Sequence, residues 1–299
     1  MKDDRNLSMT CKIDLRELTQ SIRELDKESS GAPATEARPS PTLKSLVDSF
    51  GEEVRALRFK NAKVAEIVVS LLEKLNLSPT HAHLILAGKR IGEIVDNSTI
   101  EQPSYHNQHH VAEVVMAAFI LGKRERLSGV RIAEVVVAAA GHDLGHPGKN
   151  NATPFEIESL SCDLGLPILK SFQWSEGERE RFRQMLMATD FVNGVPKARV
   201  AYLASQSLPP DHDDRVLAAQ CLILTEADIL FSCFSTEYNE ELSRLLSREW
   251  NLPTENLTLK QRLGFLNSVV FLSDAAKQLG LDDRRQALVT ALEATIPQS

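Results

Sequence analysis

Residues 64–75 read VAEIVVSLLEKL, and their apolar members, Val64, Ile67, Val68, Leu71, Leu72 and Leu75, fall at i, i+3, i+4, i+7, i+8 and i+11. That spacing lines a single face of a helix and fits no strand. From residue 43 onward the same 3.6-residue period dominates. It predicts helices over 43–58, 61–76, 79–95, 106–124, 128–142, 153–171, 177–190, 213–232, 236–249, 259–278 and 283–295. No alternating apolar and polar run interrupts them, and no internal repeat is found. The expected fold is therefore all-α, a compact multi-helix domain.

Upstream the texture changes. Residues 26–42, DKESSGAPATEARPSPT, offer no large apolar side chain to bury and read as a flexible linker. Before it, in residues 1–25, Leu15, Leu18, Ile22 and Leu25 keep helical spacing in a short charged segment. Such a segment packs on its own domain or docks on a partner chain, which leaves a homodimer open. The expected organisation is an N-terminal helical segment over 1–25, a linker over 26–42 and one domain over 43–299.

A charge of −7 argues against a nucleic-acid partner gripped through a broad basic face, because that mode needs Lys and Arg to displace phosphate counterions. A small anionic substrate stays compatible, since bound cations reverse the local sign. Cys11, Cys162, Cys221 and Cys233 have no paired metal-type spacing, so a reducing, cytoplasmic setting is expected. No apolar leader follows Met1-Lys2-Asp3-Asp4 and no uncharged run is long enough for a bilayer, so no membrane is expected.

Three short stretches carry chemistry. Tyr105-His106-Asn107-Gln108-His109-His110 opens a predicted helix on which His106, His110 and Glu113 share one face. A His pair at this spacing is more often solvated than metal-bound. Then Ala139-Ala140-Gly141-His142-Asp143-Leu144-Gly145-His146-Pro147-Gly148 delivers His142 and Asp143 to the end of an apolar helix, where Gly145, Pro147 and Gly148 turn the chain. Burying an unpaired carboxylate there costs on the order of several kcal/mol, a cost that a divalent cation removes. Third, Asp228 sits in the apolar run from Leu217 to Phe231. It pairs with a cation or joins a hydrogen-bond network, and the His/Asp cluster favours the cation.

The ordered set Tyr105-His106-Asn107 with His110, His142-Asp143 with His146-Pro147-Gly148 and Asn151, Ala188-Thr189-Asp190, and Ala227-Asp228 resembles the catalytic domain of class I 3′,5′-cyclic nucleotide phosphodiesterases, within the HD superfamily. The resemblance spans roughly residues 80–275. It implies a phosphodiesterase of the HD type in which His110, His142, Asp143 and Asp228 hold a first ion, zinc. Asp143 then bridges to a second ion, magnesium or manganese, and hydroxide on the two ions attacks cAMP or cGMP. Two divalent cations suit that chemistry, because together they acidify water and stabilise charge on a phosphoryl group. His106 is implied as general acid, a role for a group that titrates near neutral pH. His146 and Asn151 are implied to orient ligands and waters, with Thr189 and Asp190 lining the same pocket.

The resemblance also implies a base-stacking Phe265 in the pair Gly264-Phe265, although its spacing with Val269 and Leu272 is that of core. Three departures stand out. The stretch from Asn151 to Ala188 is short and shows no obvious acidic support for His106, for which Glu156 or Glu158 is the available substitute. The family's amide three residues before the stacking Phe is here Arg262, with Gln261 one position earlier. An Asn three residues after the last ligand is replaced by Phe231. Because Arg donates and cannot accept, cAMP is not expected to be strongly preferred over cGMP. Competing readings are an HD-type phosphohydrolase for another phosphodiester or nucleotide phosphate, and a metal-containing module without turnover.

Overall fold

Asn107, Ser128, Ser175, Ser235, Thr258 and Ser273 each stand just before a helix and accept a backbone N–H from its first turn. Such caps satisfy donors that a helix cannot satisfy itself, so they fix where each helix begins. The structure, a computed structural model, describes residues 41–57, 63–98 and 103–295. The segment 1–25, and the linker except its last two residues, lie outside them. Thirteen α-helices and no strand are found among the described residues: α1 (Pro41–Leu57), α2 (Val64–Glu73), α3 (Ala82–Asp96), α4 (Gln108–Arg124), α5 (Gly129–Gly141), α6 (Glu156–Ser171), α7 (Glu176–Met187), α8 (Val195–Ser205), α9 (Asp213–Leu230), α10 (Thr236–Glu249), α11 (Leu259–Ser268), α12 (Asp274–Gln278) and α13 (Leu281–Glu293).

Three helices form the centre. α4 is buried without interruption from His110 to Gly122, α5 from Ile132 to Gly141, and α9 from Ala218 to Ala227. Helices apolar all round must be enclosed. α4 packs on α2, α5 and α9, while α5 also meets α3, α7 and α9. The stretch Asp213–Cys233 is long and apolar enough to cross a membrane, yet 83% of its most apolar window is buried inside the protein. Each fully enclosed Leu or Ile of the surrounding layers, such as Leu72, Leu84 and Ile91, contributes about 2 kcal/mol of burial.

One charge pins this centre. Glu134 of α5 has no exposed surface, and its carboxylate accepts from Arg131 at 3.0 Å, from Arg181 of α7 at 2.7 Å and from Gln220 of α9 at 2.9 Å. Three helices are thereby fixed around one anion.

The period misses two features. Helix α8 falls in a stretch predicted as loop because it has no apolar stripe: Val200 and Leu203 point to solvent while Ala198 and Tyr202 face inward. The single helix expected over 259–278 breaks after Ser268, where Val269 turns extended. The buried Glu226 carboxylate, on α9, takes the backbone N–H of Leu272 at 2.6 Å and of Ser273 at 3.0 Å, and also the Ser273 hydroxyl. Those N–H groups are then unavailable to a continuing helix.

A candidate metal centre beside a carboxylate-held histidine

The site forms where the start of α4, the end of α5 and the end of α9 converge. Asn107 caps α4, its side-chain oxygen accepting from His109 N at 2.9 Å and His110 N at 3.4 Å. Helix α4 therefore begins at Gln108, and His106 lies before the cap. The expectation that His106, His110 and Glu113 share a helical face is corrected accordingly. Glu113 instead accepts the Tyr238 hydroxyl in the core.

His110 and His142 are each 2% exposed. His142 donates its Nδ1–H to Ala139 O at 2.8 Å, which leaves Nε2 as a lone pair facing inward. Its Nε2 stands 3.3 Å from His110 Nε2. Asp143 Oδ2 lies 3.2 Å from His142 Nε2 and 3.4 Å from His110 Nε2, and Asp228 Oδ1 lies 3.1 Å from His110 and 3.6 Å from His142. Gly145 and Gly148, at φ of 74° and 69°, provide the left-handed turns that lead the chain away after Asp143.

These separations suit a cation. Four donors about 2.0–2.2 Å from a tetrahedral ion would stand about 3.4 Å apart, and the observed spacings run from 3.1 to 3.6 Å. Asp143 Oδ2 is buried and receives no hydrogen bond among the described residues. In the protein alone, burial opposes a charge on His142, but Asp143 and Asp228 outweigh it and raise its pKa well above the imidazole range. Burial likewise opposes the Asp228 anion, and His110 and His142 hold its pKa down. A bound divalent ion would replace that proton, since ligating His must be neutral.

Beside the centre stands His106. Glu249, at the end of α10, accepts its Nδ1–H through Oε1 at 2.5 Å, and its Oε2 takes Tyr105 N at 2.7 Å and His106 N at 3.0 Å. Glu249 therefore supports His106, in place of Glu156 or Glu158. Glu156 is exposed and accepts from Ala152 N, while Glu158 accepts from Asn151. Burial lowers the His106 pKa, but the Glu249 hydrogen bond and the charges of Asp143, Glu249 and Asp228 raise it by more.

The His146 ring stacks on His106 at 3.8 Å and 21°. Its Nδ1 accepts from Gly148 N at 3.1 Å, so Nε2 carries the proton, and burial lowers its pKa to about 4. His106, His146 and Glu249 also offer ligand-type atoms within 4.8 Å of one another. Two imidazoles stacked face to face cannot aim their in-plane lone pairs at one ion, so the ring geometry does not suit this group to metal.

Asn151 donates to Glu158 at 2.9 Å and to Asp190 at 3.3 Å. The Asp190 carboxylate also accepts from Phe155 N at 2.9 Å, Val192 N at 2.9 Å and Asn193 N at 2.8 Å. It thus binds together the two loops that flank α6 and α7. The Thr189 hydroxyl donates to Leu186 O at 2.8 Å. Phe265 stacks on Phe191 at 5.4 Å, and Arg262 bonds Asn239. Gln261 closes the α11 capping box with Thr258 and is exposed.

The sequence profile of the 3′5′-cyclic nucleotide phosphodiesterase family matches residues 105–164. No curated protein sequence gives a significant match. Among solved structures, the phosphodiesterase domain of the RhoPDE fusion protein from the choanoflagellate Salpingoeca rosetta is similar at a TM-score of 0.59 and 17% identity, over 90% of this chain and 97% of that one. A second structure of the phosphodiesterase domain of Salpingoeca rosetta rhodopsin phosphodiesterase gives 0.58 and 18%, over 90% and 94%. At such identities the likeness is one of fold. The profile match falls on the stretch from Tyr105 to beyond Asn151, which carries His106, His110, His142 and Asp143, and across the rest of the chain the likeness to phosphodiesterase domains is one of fold.

Proposed function

We propose that the protein hydrolyses a 3′,5′-cyclic nucleotide to its 5′-monophosphate, with His110, His142, Asp143 and Asp228 holding zinc and Asp143 also reaching magnesium or manganese. The observation that carries this reading is a carboxylate-held His106 beside four converging N and O ligands. Bound divalent cations acidify water and stabilise charge on the phosphoryl oxygens.

The protein's residues do the rest. With its Nδ1–H committed to Glu249, His106 has Nε2 left for substrate, and as imidazolium it donates that proton to the departing ribose oxygen. Glu249 stabilises the cation before transfer and fixes the ring by also accepting the backbone N–H groups of Tyr105 and His106. Tyr105 packs its ring 4.8 Å from that of His110 and 4.7 Å from that of His106, which keeps ligand and acid in register.

The test is turnover of cAMP, cGMP, nucleoside monophosphates and nucleoside triphosphates by protein loaded with Zn²⁺ and Mn²⁺ or Mg²⁺. Hydrolysis of a cyclic nucleotide, abolished by a chelator, is expected. Turnover confined to monophosphates or triphosphates would point to another phosphohydrolase. Stoichiometric metal without any turnover would leave only a binding module.

A further inference from the structure

We infer that Tyr238 is a positioning residue for the acid, its hydroxyl bond to Glu113 setting α10 along α4 and so holding the Glu249 carboxylate on His106; this rests on the reading of His106 as general acid given above. Glu249 is the last residue of α10, and helix ends fray unless the helix is fixed elsewhere. Tyr238 stands eleven residues earlier, which is about three turns and about 16 Å back along the same face. Leu242 and Leu245 lie between them on that face, Leu242 buried and Leu245 packed against the core. The backbone of α10 lies close to the turn Phe231–Cys233 and to α13. Side chains tie it to α4 at both ends. At its start the buried Tyr238 hydroxyl donates to Glu113, and at its end Glu249 accepts from Tyr105 N, His106 N and His106 Nδ1 just before α4.

Glu113 follows His110 by one turn of α4. The bond therefore joins the helix that carries a metal ligand to the helix that carries the acid's support. Three turns of helix move as a stiff rod, so a slide or roll released at Tyr238 reappears at Glu249. A misplacement of 1 Å originating far from the chemistry can cost roughly 10²-fold in rate. The Tyr238 ring is held separately from its hydroxyl. It packs 5.8 Å from the Phe231 ring, and the Arg55 guanidinium of α1 stands 5.8 Å over it while Arg55 Nε donates to Glu241 at 3.2 Å. Phenylalanine keeps those ring contacts and loses the tie to α4.

The experiment measures kcat, KM and bound metal for wild type, Tyr238→Phe, Glu249→Gln and the double variant. Its substrates are bis(p-nitrophenyl) phosphate and whichever of cAMP and cGMP the wild type cleaves faster. In the cyclic nucleotide the bond from phosphorus to the ribose 3′ oxygen breaks, and that oxygen takes the His106 Nε2 proton. The activated diester needs no such proton, because p-nitrophenol is acidic enough for its anion to leave as it is. Tyr238→Phe is expected to lower kcat for the cyclic nucleotide about tenfold, part of the 10²- to 10⁴-fold that a general acid typically contributes, with KM and metal content kept and the diester rate within about twofold. Added to Glu249→Gln, it should cost no more than about twofold further, since Tyr238 acts through that carboxylate.

If Tyr238→Phe fails to fold by circular dichroism, Tyr238→Phe combined with Glu113→Leu deletes the bond together with both polar partners, the less costly way to remove it, and should show the same selective loss. Equal losses on the two substrates, a loss of metal, an unchanged cyclic nucleotide rate or multiplied losses in the double variant would each overturn the inference. Wild type that cleaves the activated diester alone overturns the cyclic nucleotide reading and this role with it, and wild type without turnover on either removes the proposed function itself.

Discussion

Glu249 and His106 lie 143 residues apart in sequence and 2.5 Å apart in space, joined by a hydrogen bond from Nδ1 to Oε1. Burial raises the Glu249 pKa, but the His106 partnership and the two backbone N–H groups depress it. His106 shifts the opposite way, above its ordinary 6.5. Glu249→Gln removes the charge and keeps the shape, so the pKa of His106 should fall. In a profile of kcat against pH, the limb where the acid loses its proton should move to lower pH, with a loss at neutral pH of about 10²-fold. An unmoved limb would show that Glu249 only positions the ring.

The same pair bears on stability. A raised His pKa stabilises the fold fully below 6.5 and fades as pH climbs through the raised value; a depressed Glu pKa stabilises above 4.5 and fades as pH falls. The pair therefore contributes most between 4.5 and 6.5. Urea unfolding as a function of pH should show Glu249→Gln losing most stability inside that window and progressively less below 4.5 and as pH rises beyond 6.5.

Metal and acid should separate by mutation. His110→Ala and Asp143→Ala are expected to lose both bound metal and turnover, whereas His106→Ala keeps metal and loses about 10²- to 10⁴-fold in kcat. Metal analysis alongside kinetics reads this out, and an empty centre in His106→Ala would overturn the division of roles. Chelation should also lower the thermal midpoint, since an ion at a hundred times its dissociation constant stabilises by about 2.7 kcal/mol.

Asn107→Ala removes the cap of α4, two residues before His109 and three before His110. A loss of about 1 kcal/mol in stability is expected. Because the capped turn carries His110, zinc affinity should weaken as well, measurable by competition with a chromophoric chelator. Glu134→Ala should cost more, about 3 kcal/mol, by leaving Arg181 and Gln220 without their shared acceptor. Urea denaturation checks the second figure, with activity per folded molecule expected to survive.

What could be read from the sequence follows from what is local. Helices α2, α4 and α9 announce themselves through strong apolar periodicity, and His110, His142, Asp143 and Asp228 through carboxylates and imidazoles placed where solvent is absent. The structure brings these four together. Glu249 was illegible for a physical reason: it is one of several Glu on α10, including Glu237, Glu240 and Glu241, and only the packing of α10 against residues 104–107 distinguishes it. Helix α8 has no stripe to read, and the break after Ser268 depends on a carboxylate some forty residues upstream. In each case the deciding contact is long-range.

That reach has a consequence for the order in which a newly made chain acquires its properties. His106, His110, His142 and Asp143 are all present once α4 and α5 have emerged, and Asp228 follows with α9. Glu249 is the last residue of α10, the final piece of the acid's support to leave the ribosome. Closing so long a loop is slow relative to local helix formation. Under the proposed function, the four ligands are complete before α10 docks, and the support that Glu249 gives His106 is the last part of the site to form.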